Sequence, residues 1–565
     1  MKKRILLIII SIITILIIAT YFSYDYWLER KLKYQFSEII SKDSNNLYTY
    51  SFTKLNIHLL EGSVDLYGVS IQPKENAFDS LISMSNGIRY LLSLSLDKIE
   101  LNGLEIKKFL STGKIYVNSL IISKPIFKYY FHPQKRKASS NLVLNNLFSD
   151  KFKEANIKDF LIHKALVKII DFSKSGPAVT IQDLSVELKS AHLDSATLKQ
   201  FTPIEYTDIQ AKAAGVNINV AKDFELNSDS ILFKVKEQTI ELNRFQLNPK
   251  FSKKNFAKAY RVQKQWVALH LQKLIISQIN FNEFVRTGAV DIGKMVLQIP
   301  NIALYKDKRK PLPPFKKKKL PASAINSIPW NIAIDSIAVI QGSISIEETS
   351  ALTGKDSHLT INNLSALILN YTNDSVKQDE SPQLTIDASA LVMNKAATQI
   401  EMKFNLNSLN DHFIANGNVG KVDAKVFNPV LEPIMGIKVT SGTINNLNFY
   451  INAMDTLSTG NLDIEYKNIK IEVQHTDTTA NKNKKGFISL AANTIIKRNN
   501  LRTQGNYRQG IINTKRVLEK DVWPYLWHSI QSGLVSTMVP VTNNKEARHK
   551  QKKTRQKLKA NNKKR

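Results

Sequence analysis

Apolar and polar residues alternate one by one along most of this chain from residue 48 onward. The stretch SFTKLNIHLLEGSVDLYGVSIQ (51–72) is an example, with Gly62 and Gly68 as interruptions. A period of two predicts strands that each have one apolar face, and the isolated glycines predict turns or bulges between them. Helical periodicity is scarce, so the pattern predicts a mainly β fold.

One pattern of apolar and polar positions occurs twice with few shared identities. LDKIELNGLEIKKFLSTGKIYVNSLIISKPIF (96–127) aligns without a gap on LQKLIISQINFNEFVRTGAVDIGKMVLQIPNI (271–302). The Thr-Gly pairs at 112–113 and 287–288 coincide, as do Pro125 and Pro300. Each copy therefore predicts a strand, a bulge or tight bend, a short helical turn ended by glycine, and a second strand ended by proline. Gly103 and Gln278 mark the bend, where a phase shift leaves open which side chains share a face.

The similarity continues beyond these two stretches with small insertions. Residues 157–171 resemble 334–348, and residues 180–188 resemble 360–368. A looser third occurrence is formed by 441–451 and 458–473, two alternating segments around a short gap. We infer that what repeats is an arrangement of strand faces and not a set of reactive residues.

Two segments interrupt the alternation. YKDKRKPLPPFKKKKLP (305–321) is basic and rich in proline, and is predicted to form a loop that projects into solvent. Residues 515–540 place Trp523, Leu526, Trp527, Ile530 and Leu534 at helical spacing, which predicts an amphipathic helix. The tail that follows has eleven Lys or Arg against one Glu between residues 545 and 565, and we expect it to be disordered.

The N-terminus predicts a membrane anchor. Lys2, Lys3 and Arg4 precede the apolar run ILLIIISIITILIIAT (5–20), and aromatic residues follow it. A basic flank, an apolar run and interfacial aromatics are typical of a transmembrane helix with a cytoplasmic N-terminus. A cleaved signal peptide is the alternative, but the residues after the run lack the small-x-small cleavage pattern.

These features divide the chain into seven predicted segments. They are a membrane anchor (1–27), a membrane-proximal β segment (28–95), a first β-groove repeat (96–270), a second repeat (271–400), a C-terminal β segment (401–514), an amphipathic helix (515–540) and a basic tail (541–565).

The composition and net charge of the chain indicate which partners it favours and which reactive sites it lacks. Lys and Arg number 79 against 48 Asp and Glu, and the net charge of +31 favours anionic partners such as phospholipid headgroups. The chain contains no cysteine, which excludes disulfides and Cys-ligated metals. Its ten histidines form no pair at three- or four-residue spacing, and GNVGK (417–421) is too short for a phosphate-binding loop. With no catalytic motif, we predict a protein that is not an enzyme and needs no cofactor or metal.

Several of these stretches resemble the bacterial AsmA-like envelope proteins, which are related to TamB and more remotely to bridge-like lipid transfer proteins. The similarity lies in the basic N-terminal anchor, in residues 96–130 and 334–348, and in the C-terminal passages 420–451 and 458–471. It implies a fold in which a transmembrane helix precedes an elongated, strongly curved antiparallel β-sheet, a β-groove with short helices. It also implies a part in phospholipid traffic or outer-membrane integrity, with the body of the protein in the periplasm.

Strands with one apolar face must bury that face against another sheet, against helices, or against something that is not protein. A groove that holds lipid tails is our leading interpretation, and stacked β-sandwiches without a ligand are the alternative. The candidate groove-lining residues are Ile99, Leu101, Ile115, Val117, Leu274, Ile276, Val290, Ile292 and Leu297. The candidate membrane-interface residues are Trp523, Trp527, Ile530 and Leu534; the same helix could instead cover the edge of the last strand.

The leading hypothesis is an inner-membrane-anchored periplasmic protein whose partners are phospholipids and the inner membrane. A second hypothesis is an envelope assembly or scaffold factor that binds outer-membrane proteins or partner subunits through its strand edges. An envelope hydrolase has little support. Nucleic-acid binding by the basic tail would need a cytoplasmic location, which the predicted anchor opposes.

Overall fold

The computed structural model describes residues 47–58, 61–82, 90–105, 108, 111–132, 154–174, 176–197, 204–473 and 496–539. Strands hold 60% of these residues, which confirms the prediction of a mainly β protein with few helices. The predicted N-terminal anchor and the basic tail lie outside the described residues. Within the described ranges, no helix combines the length and the apolar character that crossing a bilayer requires.

The chain divides into two compact units. The first comprises residues 1–244 and 285–287. It contains helix α1, Glu75–Ile82. Its strands are β1 Tyr48–Ser51, β2 Lys54–His58, β3 Ser63–Pro73, β4 Tyr90–Asn102, β5 Lys114–Ser123, β6 Ile126–Phe131, β7 Glu154–Asp171, β8 Pro177–Asp194, β9 Asp208–Ala221 and β10 Phe224–Lys234. Strand β11, Thr239–Pro249, spans the division.

The second unit comprises residues 245–284 and 288–565. Its strands are β12 Trp266–Ile279, β13 Val290–Gln298, β14 Asn301–Asp307, β15 Ile332–Thr349, β16 Asp356–Thr372, β17 Gln383–Val392, β18 Ala396–Asn405, β19 Phe413–Val419, β20 Val422–Asp423, β21 Ile437–Ala453, β22 Leu457–Val473 and β23 Gly510–Lys515. The remaining helices are α2 Lys253–Ala259, α3 Phe281–Thr287, α4 Pro321–Asn326, α5 Ser375–Glu380, α6 Asn428–Met435 and α7 Val522–Met538, with a 3-10 turn at Ala424–Phe427.

The sequence repeat corresponds to one motif of five strands that occurs in each unit. In the first unit, β4 pairs antiparallel with two successive short strands, β5 and β6. Both short strands then lie parallel to the long strand β7, which forms an antiparallel pair with β8. In the second unit, β12 to β16 reproduce every one of these pairings. The third occurrence is the antiparallel hairpin of β21 and β22.

The two copies share their irregular backbone positions as well as their strands. Five residues with positive φ in the first copy have counterparts with positive φ in the second. The pairs are Gly103 and Gln278 (φ +69° and +57°), Gly113 and Gly288 (+70° and +77°), Lys124 and Ile299 (+47° and +50°), Lys164 and Gln341 (+53° and +54°), and Ser190 and Asn370 (+53° and +62°). The register shifts in β7–β8 and in β15–β16 also fall at corresponding residues. The predicted bend at Gly103 and Gln278 is therefore confirmed.

Close packing at this bend uses the same two positions in opposite ways. In the first copy the bend residue is Gly103, and a Cβ there would lie 2.2 Å from Asn118 Nδ2 on β5. In the second copy the bend residue is Gln278, and the residue opposite is Gly293, where a Cβ would lie 2.2 Å from Gln278 Oε1. Each copy thus has room for only one side chain at this contact. In the first copy it belongs to the strand residue and the glycine is at the bend; in the second copy the side chain is at the bend and the glycine is on the strand.

The prediction of an antiparallel sheet is wrong in one respect, because each unit contains parallel pairs and its sheet is mixed. Parallel neighbours require a long crossover connection. In the second unit this connection runs from β14 to β15 and includes the basic, proline-rich segment and α4. Residues 311–319 of that segment are exposed, as predicted, but Leu320 is fully buried and Lys318 N donates to Leu518 O at 2.8 Å. The loop is therefore fixed at its C-terminal end.

Buried apolar residues are concentrated in the C-terminal half of the second unit. Strands β18, β19 and β21 to β23 contribute Met402, Phe404, Phe413, Ile451, Leu462, Ile464 and Ile512, each no more than 1% exposed. Helices α4 and α7 close this cluster with Ile325, Tyr525 and Leu526. In the first unit, a small cluster forms where Ala77 and Leu81 of α1 meet Leu91 of β4.

Helix α7 begins after Asp521, which caps it by accepting a hydrogen bond from Trp523 N. It covers the outer edge of β23 through side-chain hydroxyls. Ser536 Oγ accepts from Ile511 N at 2.5 Å, and Ser532 Oγ accepts from Asn513 N at 3.3 Å. Because these backbone donors point away from β22, the serines satisfy groups that an open edge would leave unpaired.

The contact between α7 and β23 tolerates no side chain at Gly510. A Cβ there would lie 2.4 Å from Gly533 O, a backbone atom that cannot turn aside. We expect Gly510→Ala to lower the free energy of unfolding by about 2 kcal/mol, since overpacking forces the helix away from the strand. Urea unfolding measures this loss. Gly505→Ala is the control, because no atom lies within 4 Å of a Cβ at that position; equal losses in the two variants would contradict the prediction.

Candidate functional site

Two rows of apolar side chains cross the strands of the first unit in register. The first joins facing residues on β3, β4, β5, β7, β8, β9 and β10: Leu66, Ile99, Ile122, Ile162, Val186, Ala211 and Phe233. The second joins Val64, Leu101, Leu120, Phe160, Leu188 and Ile209. Every residue in both rows is apolar, and since side chains two apart on a strand share a face, the rows form one continuous surface.

These rows are not buried by the described residues. Only Leu188 is less than 9% exposed, and the other twelve side chains are partly exposed. An apolar face of this size is normally covered by a second layer of strands or helices. The first unit therefore presents a partly exposed apolar surface, which we call the open face.

One row on the opposite side of the same strands is polar. Asn102, Ser119, Asp159, Lys189 and Asp208 face one another across β4, β5, β7, β8 and β9. Lys189 Nζ lies 2.7 Å from Asp159 Oδ1, and its hydrogen bonds with Asp159 and Glu187 raise the pKa of the lysine. The opposite side thus combines this polar row with apolar residues such as Ile121 and Leu161, whereas both rows of the open face are entirely apolar.

In the second unit, two equivalent rows consist of partly exposed residues at one end and buried residues at the other. One joins Ile276, Met295, Ile337, Ile368, Ile386, Met402, Ala415 and Ile451 on successive strands. Its first five members are partly exposed, whereas Met402, Ala415 and Ile451 are at most 1% exposed. A parallel row runs from Leu274 through Leu297 and Val339 to Phe449 and Leu462. Protein side chains thus fill one end of these rows only.

The predicted groove-lining residues fall into two sets. Ile99, Leu101, Leu274, Ile276 and Leu297 belong to the rows described above. By alternation along their strands, Ile115 and Val117 lie on the face opposite to Leu120 and Ile122, and Val290 and Ile292 lie opposite to Met295 and Leu297. Val117 and Ile292 are also buried, at 5% and 6% exposure. These four residues therefore do not continue the rows.

Residues with positive φ inside the strands explain why the sequence left these faces unresolved. On β16, Asn370 has φ +62° and separates Ile368 from Tyr371, yet both side chains pack against the same apolar cluster. A residue with positive φ within a strand thus lets side chains three apart reach one cluster. The candidate list also omitted Ile162, Val186 and Phe233, for which the alternation of β7, β8 and β10 was the available signal.

Of the four predicted membrane-interface residues, two pack against the protein core and two are exposed. Ile530 and Leu534 pack against the apolar cluster beneath α7. Trp523 and Trp527, one turn apart, are 58% and 44% exposed. The helix therefore covers the last strand, which was the alternative interpretation, while its two tryptophans remain accessible to a partner.

No protein-family model matches this chain, and no curated protein sequence matches it. The resemblance to AsmA-like proteins consequently remains a prediction that rests on the residues quoted for it. No group of His, Asp and Glu side chains suited to a metal ion occurs in the described ranges.

Proposed function

We propose that this chain is a non-enzymatic, inner-membrane-anchored periplasmic protein that shields phospholipid acyl chains along a hydrophobic β-groove. In this role it contributes to lipid transport and outer-membrane integrity. The observation that carries the proposal is the open face of the first unit, where thirteen apolar residues lie in register over as many as seven strands and all but Leu188 are partly exposed. The predicted anchor at residues 1–27 supplies the membrane attachment.

The energetics of acyl transfer favour such a surface. Each buried methylene contributes about 0.8 kcal/mol, so a chain of about 16 carbons would cost roughly 13 kcal/mol to carry through water. Strands lie about 4.8 Å apart, so seven strands span roughly 29 Å. The hydrocarbon core of a bilayer is about 30 Å thick and holds two leaflets, so this width accommodates an acyl chain with room to slide. A lipid that moves from one apolar medium to another needs no tight site.

The scaffold hypothesis needs exposed strand edges. At the C-terminal edge of the second unit, the hydroxyls of Ser532 and Ser536 already engage the outward backbone donors of β23. A partner strand would have to displace α7 first, so this edge does not favour the alternative.

The test places a photo-crosslinker at two adjacent residues of β9 in the full-length protein. Ile209 belongs to the open face, and Gln210 is an exposed residue on the opposite side. We expect phospholipid to crosslink at Ile209 and not at Gln210, as measured by mass spectrometry after gentle purification. Absence of lipid at both positions, or equal labelling at both, would rule out acyl binding on this face.

A charged substitution gives the matching loss of function. Ile162→Asp removes an apolar contact worth about 1.5–3 kcal/mol, so lipid affinity should fall about tenfold or more. Because Ile162 is already partly exposed, the melting temperature should change little. Retention of lipid by this variant would count against the proposal.

A further inference from the structure

Four chain segments meet at one end of the second unit, and we call them the loop cluster: residues 315–319, 409–410, 454–457 and 517–527. Direct hydrogen bonds join them. Asp455 N donates to Asn410 O at 2.9 Å, and Lys318 N donates to Leu518 O at 2.8 Å. Tyr525 hydroxyl donates to Met454 O at 3.0 Å, and burial raises the pKa of that tyrosine to about 12. The cluster is therefore a single fixed surface, although its parts are far apart in sequence.

Each segment presents a large apolar side chain to solvent. Leu409 at the β18–β19 turn is fully exposed, and Phe315 in the crossover loop is 68% exposed. Met454 at the β21–β22 turn is 47% exposed, and Trp523 and Trp527 project from the first turns of α7. Isolated exposed apolar residues are common, but five on one joined surface mark an interaction site.

Cations surround these apolar tips. Lysines occupy all four positions from 316 to 319, and Lys515 and Lys520 border the start of α7. Asp455 is already engaged, because Lys317 Nζ lies 2.5 Å from its Oδ2 and the Arg516 guanidinium bonds its Oδ1. Six lysines thus outnumber the three acids of this surface, which are Asp455, Glu519 and Asp521, and its net charge is positive.

We propose that the loop cluster docks on the surface of an anionic lipid bilayer. Apolar tips enter the headgroup region to the depth that interfacial aromatic residues reach, and the lysines meet lipid phosphates. The tips come from three loops and one helix, an arrangement that suits a fluid surface better than a folded protein. This docking goes beyond the proposed lipid shielding and does not depend on it.

The absence of native cysteine allows the surface to be probed one residue at a time. The full-length chain, held in phosphatidylcholine nanodiscs, carries an environment-sensitive fluorophore at Leu409→Cys or Met454→Cys. Lys395→Cys is the matched control, since it is exposed on the turn at the other end of β18. Vesicles of phosphatidylcholine with phosphatidylglycerol should shift the emission to shorter wavelengths at 409 and 454 and leave 395 unchanged.

Substitutions separate the electrostatic and apolar contributions. Lys316→Ser with Lys319→Ser should weaken vesicle binding about 25-fold, because each lysine near an anionic surface contributes about 1 kcal/mol, or about fivefold. Phe315→Ser should weaken binding about tenfold. An unchanged circular dichroism spectrum excludes unfolding as the cause.

The outcomes are distinct. No shift with anionic vesicles, equal shifts at 395, or equal binding to pure phosphatidylcholine would overturn the proposal, as would a shift that requires an added protein partner. Because the readout is contact with a second membrane, the result is separate from lipid retention on the open face.

Discussion

Replacing Ile451 with alanine is expected to lower the free energy of unfolding by about 4 kcal/mol, whereas Ile337→Ala is expected to lower it by only about 1 kcal/mol. Both isoleucines belong to the same row in the second unit, but Ile451 is fully buried and Ile337 is partly exposed. A buried Ile→Ala change loses the transfer free energy of the side chain and leaves a cavity, at a cost of about 2–5 kcal/mol. A partly exposed side chain leaves no closed cavity.

Urea unfolding of the full-length variants, followed by tryptophan fluorescence, measures both losses. The comparison distinguishes a groove from a stacked sandwich, because a sandwich would bury both ends of the row. A loss at Ile337 as large as that at Ile451 would show that protein fills the whole row. The acyl-binding proposal would then lose its basis in the second unit.

The strands and the repeat could be predicted because they depend on local alternation. Aligning residues 96–127 with residues 271–302 requires only that their apolar positions coincide. The bend at Gly103 follows from a glycine within a strand pattern. At Lys124 and Ile299 the same backbone conformation occurs without glycine, so no residue type marked it. The exchange of glycine between Gly103 and Gly293 would have been visible only by comparing the two copies residue by residue.

The parallel pairs and the closure of one end could not be predicted from alternation. A strand's pattern gives its apolar face, but β5 has the same pattern whether its neighbour β7 runs parallel or antiparallel. Similarly, the apolar residues of β18 and β15 look alike in sequence. Only the packing of α4 and α7 over Met402 and Ile451 separates the closed end from the open one.

The second large effect on stability is expected from substituting Arg516, a buried arginine beneath the loop cluster. The Arg516 side chain is 0% exposed, and its guanidinium bonds Asp455 Oδ1 and Lys318 O. It thereby joins the β21–β22 turn, the crossover loop and the approach to α7. Arg516→Met has a similar volume but removes the charge, and we expect it to lower the free energy of unfolding by about 3 kcal/mol, the lower end of the cost of breaking a buried ion pair, because Asp455 is 21% exposed and keeps its contact with Lys317.

Arg502→Met is the matched control, since Arg502 is 61% exposed and pairs with Asp463 and Glu465 at the surface. It should cost less than about 1 kcal/mol. A second substitution, Asp455→Leu in the Arg516→Met background, tests the cause of the loss. If the cost arises from a carboxylate left without its arginine, the double variant should recover much of the lost stability. If the double variant is no more stable than Arg516→Met, the arginine acts through its bond to Lys318 O, and the crossover loop is what it holds in place.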